Sequence, residues 1–348
     1  MRIRVAGLAL ISGLLVALVL LVSAADTFAS GGLLLTSTIT PTNVPGEDKV
    51  TAGWGLYERG DYTGAMGLFT DAITVNPDYA LAYEYRGRVF IDLGQYEKAI
   101  LDYDQALALI PDYVHALHNR GRAYEFSGQF APALADYTRA IKLDETAWYS
   151  HVGRGNVYLA QEEYTLAVIE FTEAIKLEPT YVYAYHNRAT AYSRLEAYDL
   201  ALVDYDAVLN DLDPNFATSY YGRGFVYQQM GEYELARDNY SEVIQRDSAN
   251  ADAFYGRGLV AFELGDPVVA IGDLSRAVEL DPESASIQFD LADMHFKLGH
   301  YDAAWTVYQQ ALALENAPSS DVEQNLLRLS LWRLGLVELP DQSPEPAG

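Results

Sequence analysis

The sequence predicts an all-α protein, an α-solenoid made of one helical hairpin repeated eight times, and three observations predict it. The chain is self-similar from Gly46 to Pro318, at a period of about 34 residues that is typical of helical-hairpin repeats. Within each unit, apolar residues recur at spacings of three and four, which is typical of helices that bury one face. Recurring glycine and proline residues mark the places where these helices end. Such regularity indicates a linear array rather than separate globular domains.

The second unit shows how each element is predicted. Its first helix runs from about Ala80 to Leu93 and ends at Gly94; its second runs from about Tyr96 to Leu109. Gly87 lies inside the first helix, where glycine costs about 1 kcal/mol relative to alanine. We therefore expect a close approach of the second helix at that position.

The repeats run from 46 to 318, which is one position longer than eight equal units, and the extra residue is expected near 210–213. The predicted units are 46–79, 80–113, 114–147, 148–181, 182–216, 217–250, 251–284 and 285–318. A helix over 319–335 is expected to cap the last hairpin, which would otherwise expose an apolar face. Residues 336–348, rich in proline, are expected to be a disordered tail.

The segment before the repeats predicts export. Arg2 and Arg4 precede an unbroken stretch of apolar or small residues, 5–25, as in a secretory signal peptide. The same stretch is long enough to span a bilayer, so a cleaved signal peptide and an uncleaved signal anchor over 1–25 both remain open. Residues 26–45 are rich in Ser, Thr, Gly and Pro and are expected to be a flexible linker. The rest of the chain is extracytoplasmic in either case, and the membrane is reached only through the N-terminal segment.

Composition excludes several function classes. The chain has 348 residues, 23 basic and 49 acidic, for a net charge of −26. Such a charge repels phosphate and argues against nucleic-acid binding. The absence of cysteine excludes thiol catalysis, zinc–thiolate sites, iron–sulfur clusters and disulfides. The histidines form no recognised metal or catalytic motif, so no catalytic residue, metal or cofactor is expected.

The repeat unit resembles the tetratricopeptide repeat. The second unit carries the pattern almost completely, in Gly87, Phe90, Gly94, Tyr96, Ala99, Tyr103, Ala106 and Pro111. Glu162 and Glu196 depart from it by replacing the turn glycine. The resemblance implies a right-handed superhelix whose concave groove is lined by the first helix of each unit. The family's clamp for a terminal carboxylate needs a groove lysine, and the matching positions here, including Glu84 and His118, hold none.

An arginine recurs in six of the eight units and has an acidic or amide residue sixteen positions later in each of the six. The arginines are Arg86, Arg120, Arg154, Arg188, Arg223 and Arg257, followed by Asp102, Asp136, Glu170, Asp204, Asn239 and Asp273. These arginines are either an anion-binding stripe or an internal ladder between helices. The ladder is favoured because the acceptors track the arginines unit by unit.

The resemblance places ten candidate ligand-binding residues in the groove: His118, Asn119, Arg122, Tyr149, Asn156, Tyr183, His186, Asn187, Tyr221 and Tyr255. Aromatic and amide side chains suit peptides or glycans, and the acidic exterior favours basic ligands. We therefore expect an exported, non-catalytic scaffold that binds protein or peptide in this groove. An envelope glycan-binding protein and a purely architectural scaffold acting through its outer face remain alternatives.

Overall fold

The computed structural model describes residues 44–314, 320–335 and 337–339, with side chains from 322 onward in the second range. The predicted signal or anchor (1–25), most of the linker and most of the tail lie outside the described residues. Within the described ranges the chain forms seventeen α-helices joined by turns. None of these helices is long and apolar enough to cross a membrane. The predicted all-α class is confirmed.

The described chain divides into two compact units at Ala184 and Tyr185. The helices of the first unit are α1 (Glu47–Tyr57), α2 (Tyr62–Val75), α3 (Ala80–Asp92), α4 (Tyr96–Leu109), α5 (Val114–Phe126), α6 (Phe130–Leu143), α7 (Trp148–Ala160) and α8 (Tyr164–Leu177). Helix α9 (Val182–Arg194) begins in the first unit and continues in the second. Odd-numbered helices up to α15 are called first helices below, and even-numbered helices are called second helices.

The second unit continues the same alternation. Its helices are α10 (Tyr198–Asp206), extended by a π-helical segment (Ala207–Leu212), then α11 (Ala217–Met230), α12 (Tyr233–Arg246), α13 (Ala251–Glu263), α14 (Pro267–Leu280), α15 (Ala285–Lys297), α16 (Tyr301–Leu314) and α17 (Ser320–Arg333). Helix α17 buries Val322 and Leu329 in one core with Phe289 and Tyr308 of the last hairpin. It thereby covers the apolar face that the last repeat would otherwise expose.

The extra residue of the fifth repeat is absorbed by the π-helical segment at the end of α10. The Asp213 amide donates to the Val208 carbonyl, five residues earlier, at 2.7 Å. A π-turn holds one more residue than an α-turn. The π-helical segment spans residues 207–212 and so overlaps residues 210–213, where the repeat spacing predicts the extra residue.

The glycines in the middle of the first helices allow the second helices to approach closely, as the energetic cost of glycine inside a helix predicts. A Cβ on Gly87 would lie 2.8 Å from Cζ of Tyr103, and one on Gly121 would lie 2.9 Å from Cε1 of Tyr137. Tyr137 also contacts the next first helix, where a Cβ on Gly153 would lie 2.5 Å from its ring. The aromatic ring of a second helix thus packs on the backbone of two consecutive first helices.

The turn within each repeat keeps one conformation even where glycine is absent. Gly94 has φ 68°, while Glu162 and Glu196 adopt φ 62° and 58°. The amide of Glu162 donates to Leu159, as that of Gly94 donates to Ile91. The two glutamates therefore occupy a left-handed conformation that costs a non-glycine residue about 1–2 kcal/mol.

The recurring arginines form the internal ladder. Arg120 donates from Nε and Nη2 to the two Asp136 carboxylate oxygens at 2.7 Å each, and from Nη1 to Asp104 of the preceding second helix at 2.6 Å. Arg257 repeats the arrangement with Asp273 and Ser241. Each of these guanidiniums joins a first helix to both neighbouring second helices, so the ladder interpretation is confirmed.

Candidate functional site

The first helices of consecutive repeats lie side by side and exchange polar contacts. In the first unit, Asn119 donates from Nδ2 to Oε1 of Glu84 at 2.8 Å, and the Tyr57 hydroxyl donates to Asp92 at 2.6 Å. In the second unit, the Tyr255 hydroxyl donates to Asp290 at 2.6 Å. We call the surface that these neighbouring first helices form the first-helix face. It carries the candidate ligand-binding residues.

Two of the predicted histidines link successive first helices. Nδ1 of His118 lies 3.3 Å from the Ser150 hydroxyl, and Nδ1 of His186 lies 2.9 Å from the Ser219 hydroxyl. Burial lowers the pKa of His118 well below its usual value and that of His186 to about 4. Both imidazoles are therefore neutral at physiological pH, and they join repeats as uncharged groups.

The other predicted residues lie in similar positions. Asn119 and Asn187 are buried, while Arg122, Tyr149, Asn156, Tyr183, Tyr221 and Tyr255 are half-buried. The structure brings His118 and Tyr149 together, with ring centroids 4.7 Å apart, and it places Tyr221 against Tyr240 at 5.5 Å. Six of the ten residues belong to the first compact unit and four to the second. Their part in ligand binding stays a prediction.

Tyr149 belongs to a row of aromatic rings at the start of successive first helices. His115 stacks on Tyr149 at 5.6 Å, and Tyr149 lies 5.7 Å from Trp148. The row continues from Trp148 to Tyr181 at 4.7 Å and from there to Tyr183 at 5.5 Å. The four tyrosine and tryptophan rings are half-buried. They offer apolar area with a polar group at one edge, as aromatic residues in binding interfaces do. We call these five residues the aromatic row.

Arg88 on α3 is a further charged group of this face. Its guanidinium lies 4.9 Å from the Trp54 ring centroid and 5.5 Å from that of Tyr57. Burial of Arg88 disfavours its charged form and by itself lowers its pKa. Glu84 and the Tyr57 hydroxyl stabilise the charged form more strongly, so the pKa of Arg88 is raised. Stacking and hydrogen bonding thus hold a permanently charged group in a fixed position.

Two glutamates are buried beside the guanidiniums of α3 and α5. Glu84 is 3% exposed, and burial raises its pKa to about 7 against the opposing effects of Arg88 and Asn119. Burial also raises the pKa of Glu125 to about 7, although the Tyr137 hydroxyl donates to it at 2.6 Å. Near neutral pH both carboxyl groups are therefore only partly ionised.

The Tyr103 hydroxyl is an unpaired polar group in the described core. The residue is fully buried, and its oxygen has no hydrogen-bond partner among the described residues. In the matching position of the next repeat, Tyr137 donates to Glu125, but the residue that corresponds to Glu125 here is Ile91. The hydroxyl lies within the electrostatic range of Glu84, Arg88 and Arg122.

The ten candidate ligand-binding residues predicted from the sequence do not include Arg88, Glu84 or Tyr103. One signal in the sequence points to Arg88, because it precedes Arg122 by one full repeat and so occupies the same position of the preceding unit. The unpaired state of Tyr103 gives no such signal, because it depends on a partner in the neighbouring helix. Among the described residues, no three His, Asp or Glu side chains are grouped to hold a metal ion.

Family comparisons agree with this architecture. A TPR repeat model matches residues 87–125 and 155–196, and tetratricopeptide repeat models match 114–147, 221–285 and 265–321. Together these matches cover more than half of the sequence. The chain belongs to the tetratricopeptide repeat family. Its first helices are therefore the helices that the family resemblance expects to line the groove.

Solved structures share the tetratricopeptide fold at low sequence identity. The APC/C hetero-tetramer Cut9–Hcn1 matches with a TM-score of 0.60 and 14% identity; the alignment covers 81% of this chain and 55% of that one. A tetratricopeptide repeat protein from Parabacteroides merdae matches with a TM-score of 0.56 and 20% identity, covering 72% and 98%. Pseudomonas aeruginosa pilF matches at 0.55 and 20%, covering 62% and 97%. No curated protein matches the sequence.

Proposed function

We propose that this tetratricopeptide repeat chain is an exported, non-catalytic scaffold that binds a peptide segment of a partner protein on its first-helix face. The observation that carries the proposal is the aromatic row, whose tyrosine and tryptophan rings are half-buried and contact the His118 imidazole through Tyr149. Aromatic residues enriched at the centre of a patch with polar groups around them are typical of protein interfaces.

The ladder supports the same choice of face. Its guanidiniums are engaged with internal carboxylates, so the most regular charged feature of the chain serves the packing between helices. The first helices carry further polar groups outside the ladder, such as Asn119, Arg122 and Asn156. Export is supported by the basic and then apolar sequence of residues 1–25.

The expected preference for basic ligands finds support in the second unit. Its first-helix face carries Asp252, Asp290 and Asp293. Burial raises the pKa of both Asp252 and Asp290, and a neighbouring carboxylate adds to the shift in each case. A cationic side chain of a ligand would relieve this repulsion.

Partner capture with a matched surface control tests the proposal. The double variant Tyr149→Ser and Tyr183→Ser shortens two rings of the aromatic row. The control, Leu101→Ser, removes an apolar side chain that is 64% exposed on the second helix α4. Partners captured from the envelope fraction by the wild type should be lost with the double variant and kept with the control. If the double variant folds and keeps every partner, the proposal is wrong.

The aromatic row also favours a second candidate, an envelope glycan-binding protein, because sugar rings stack on aromatic faces. Binding of envelope polysaccharide that needs Tyr149 but is insensitive to salt would support this candidate, whereas peptide capture that weakens with salt would support the first. An architectural scaffold acting through its second helices would lose partners with Leu101→Ser instead.

A further inference from the structure

We propose that His295 and His300, at the turn between α15 and α16, bind a divalent transition-metal ion such as Zn²⁺ through their Nδ1 atoms. We call these two residues the histidine pair. The inference goes beyond the proposed function, because it concerns the turn of the last repeat rather than the aromatic row. Two histidines five residues apart across a turn form no recognised metal motif, so the sequence alone does not predict this site.

The turn of the repeat brings the two positions of the histidine pair together. The His300 amide donates to the His295 carbonyl at 2.9 Å, as the Gln95 amide donates to the Phe90 carbonyl at 2.8 Å in the second repeat. Gly299, with φ 76°, supplies the left-handed residue that this reversal needs. The backbone therefore holds the ends of the two helices at a fixed separation, and the side chains decide what is built there.

The two imidazoles have the geometry of a two-point metal ligand. Nδ1 of His295 lies 3.4 Å from Nδ1 of His300, while the ring centroids are 5.6 Å apart, so the two nitrogens lie on facing edges of the rings. A separation of 3.4 Å is long for a hydrogen bond. Two nitrogens that bind one tetrahedral zinc ion at about 2.0–2.1 Å are themselves about 3.4 Å apart. A metal ion would therefore require little movement of either ring.

No other repeat has histidine at either of these two positions. The position of His295 is Phe or Tyr in five repeats, and the position of His300 is Asp, Glu or Gln in six. Asp61 and Asp266, at the position of His300, accept hydrogen bonds from the amides at the start of their helices. Histidine is not among the residues that favour such caps. Helix capping therefore does not explain His300, whereas metal binding explains why both positions change together.

The histidine pair is accessible and in the chemical form that binds metal. His300 is exposed and His295 is half-buried. Burial lowers the pKa of His295, and the neighbouring His300 adds to the shift. His295 is therefore neutral at physiological pH, and the neutral imidazole is the form that binds a metal ion.

The surroundings of the histidine pair leave the other coordination positions open. The Lys297 ammonium, two residues after His295, lies 5.3 Å from the Phe262 ring centroid. Among the described residues, no third His, Asp or Glu side chain joins the pair. Water or a group from a ligand would therefore complete a four-coordinate ion, as in metal sites that keep an open position. The net charge of −26 favours the approach of a cation.

Calorimetric titration with ZnCl₂ tests the inference on the full-length chain without an affinity tag. Excess Mg²⁺ in the buffer occupies surface carboxylates and leaves imidazole sites for zinc. We expect one zinc ion per chain, and each of His295→Phe and His300→Gln should weaken binding at least tenfold, because each removes one of two protein ligands. The second repeat has Phe90 and Gln95 at the same positions, so both variants should fold.

His115→Gln is the matched control, because it removes an exposed histidine on α5 that lies three residues from another histidine, His118. It should leave zinc affinity unchanged. Zinc should also raise the midpoint of thermal unfolding of the wild type and of the control but not of either pair variant, because binding to the folded state stabilises it. Long-range ¹H–¹⁵N spectra should show the Nδ1 resonances of both His295 and His300 shifting with zinc.

Three outcomes would overturn the inference. Equal zinc affinity of the wild type and both pair variants would place any binding elsewhere in the chain. Weaker binding in only one of the two pair variants would exclude a site with two histidine ligands. Weaker binding in His115→Gln alone would assign the zinc to α5. None of these results bears on the aromatic row, so the proposed function is tested separately by partner capture.

Discussion

Glu84→Gln should change how the stability of the first unit depends on pH. The Glu84 carboxyl group is buried against Arg88 and Asn119, and its pKa is raised from 4.5 to about 7. A raised pKa means that the folded state binds the proton more tightly than the unfolded state does. The stabilisation from this group is therefore complete below pH 4.5 and is lost as pH rises through about 7.

The shift sets the magnitude of the effect. One pKa unit corresponds to about 1.4 kcal/mol, so the full shift is worth about 3 kcal/mol, of which roughly 2.5 kcal/mol falls between pH 5 and pH 8.5. Glutamine can still accept the hydrogen bond from Asn119 but does not ionise. The free energy of unfolding of the variant, relative to the wild type, should therefore rise by about 2.5 kcal/mol over that interval.

Urea unfolding followed by circular dichroism across this pH range measures the difference. Because repeat arrays do not always unfold in one step, amide hydrogen exchange of α3 and α5 should be measured alongside. Glu145→Gln, at an exposed loop position, controls for the loss of one negative charge. If the wild type, Glu84→Gln and Glu145→Gln give parallel pH profiles, Glu84 is ionised in the fold and the reasoning is refuted.

Three further predictions follow from local features of the described residues. Glu162→Gly should raise the free energy of unfolding by about 1 kcal/mol, measured by urea unfolding, because it relieves the left-handed backbone conformation. Tyr103→Phe should raise stability by about 1 kcal/mol and Tyr137→Phe should lower it, because only the second hydroxyl has a partner. His186→Asn should weaken the acid sensitivity of the second unit in thermal unfolding. Its pKa near 4 lies below the unfolded value of 6.5, so the wild type loses about 2 kcal/mol between pH 7.5 and pH 5.

Each of these three predictions has a contrary outcome. A destabilised Glu162→Gly variant would show that the glutamate side chain contributes more than its backbone conformation costs. Equal effects of Tyr103→Phe and Tyr137→Phe would show that the first hydroxyl is hydrogen-bonded in solution. Unchanged acid sensitivity of His186→Asn would assign the acid response to other groups.

The sequence predicts the parts of the fold that recur. Helices α3 and α4 begin at Ala80 and Tyr96 as the periodicity indicates, because the same apolar spacing is repeated in every unit. The ladder is equally predictable, since each arginine and its acceptor keep one fixed spacing within each repeat. The mid-helix glycines predict a close contact with the second helix, which at Gly87, Gly121 and Gly155 is an aromatic ring, because only a close contact offsets the cost of glycine there.

The structural features that the sequence does not predict depend on contacts between repeats. The bond from Asn119 to Glu84 joins residues 35 positions apart, and nothing in either repeat taken alone indicates it. Whether Tyr103 has a partner depends on a single neighbouring residue, Ile91, in another helix. The sequence also does not predict the left-handed conformation of Glu162, because glycine is the residue that normally adopts it.

One position of the first helix explains how the fold accepts both acids and bases where neighbouring repeats meet. Glu84 in α3 and His118 in α5 occupy the same position of consecutive repeats, and His186 occupies it again in the second unit. Burial raises the pKa of the carboxyl group and lowers the pKa of both imidazoles, so each shift favours the uncharged form. A group that can lose its charge is tolerated between two helices at a moderate cost. Arginine cannot lose its charge, and accordingly Arg88 lies half-buried further along α3, where its guanidinium packs on the Trp54 and Tyr57 rings.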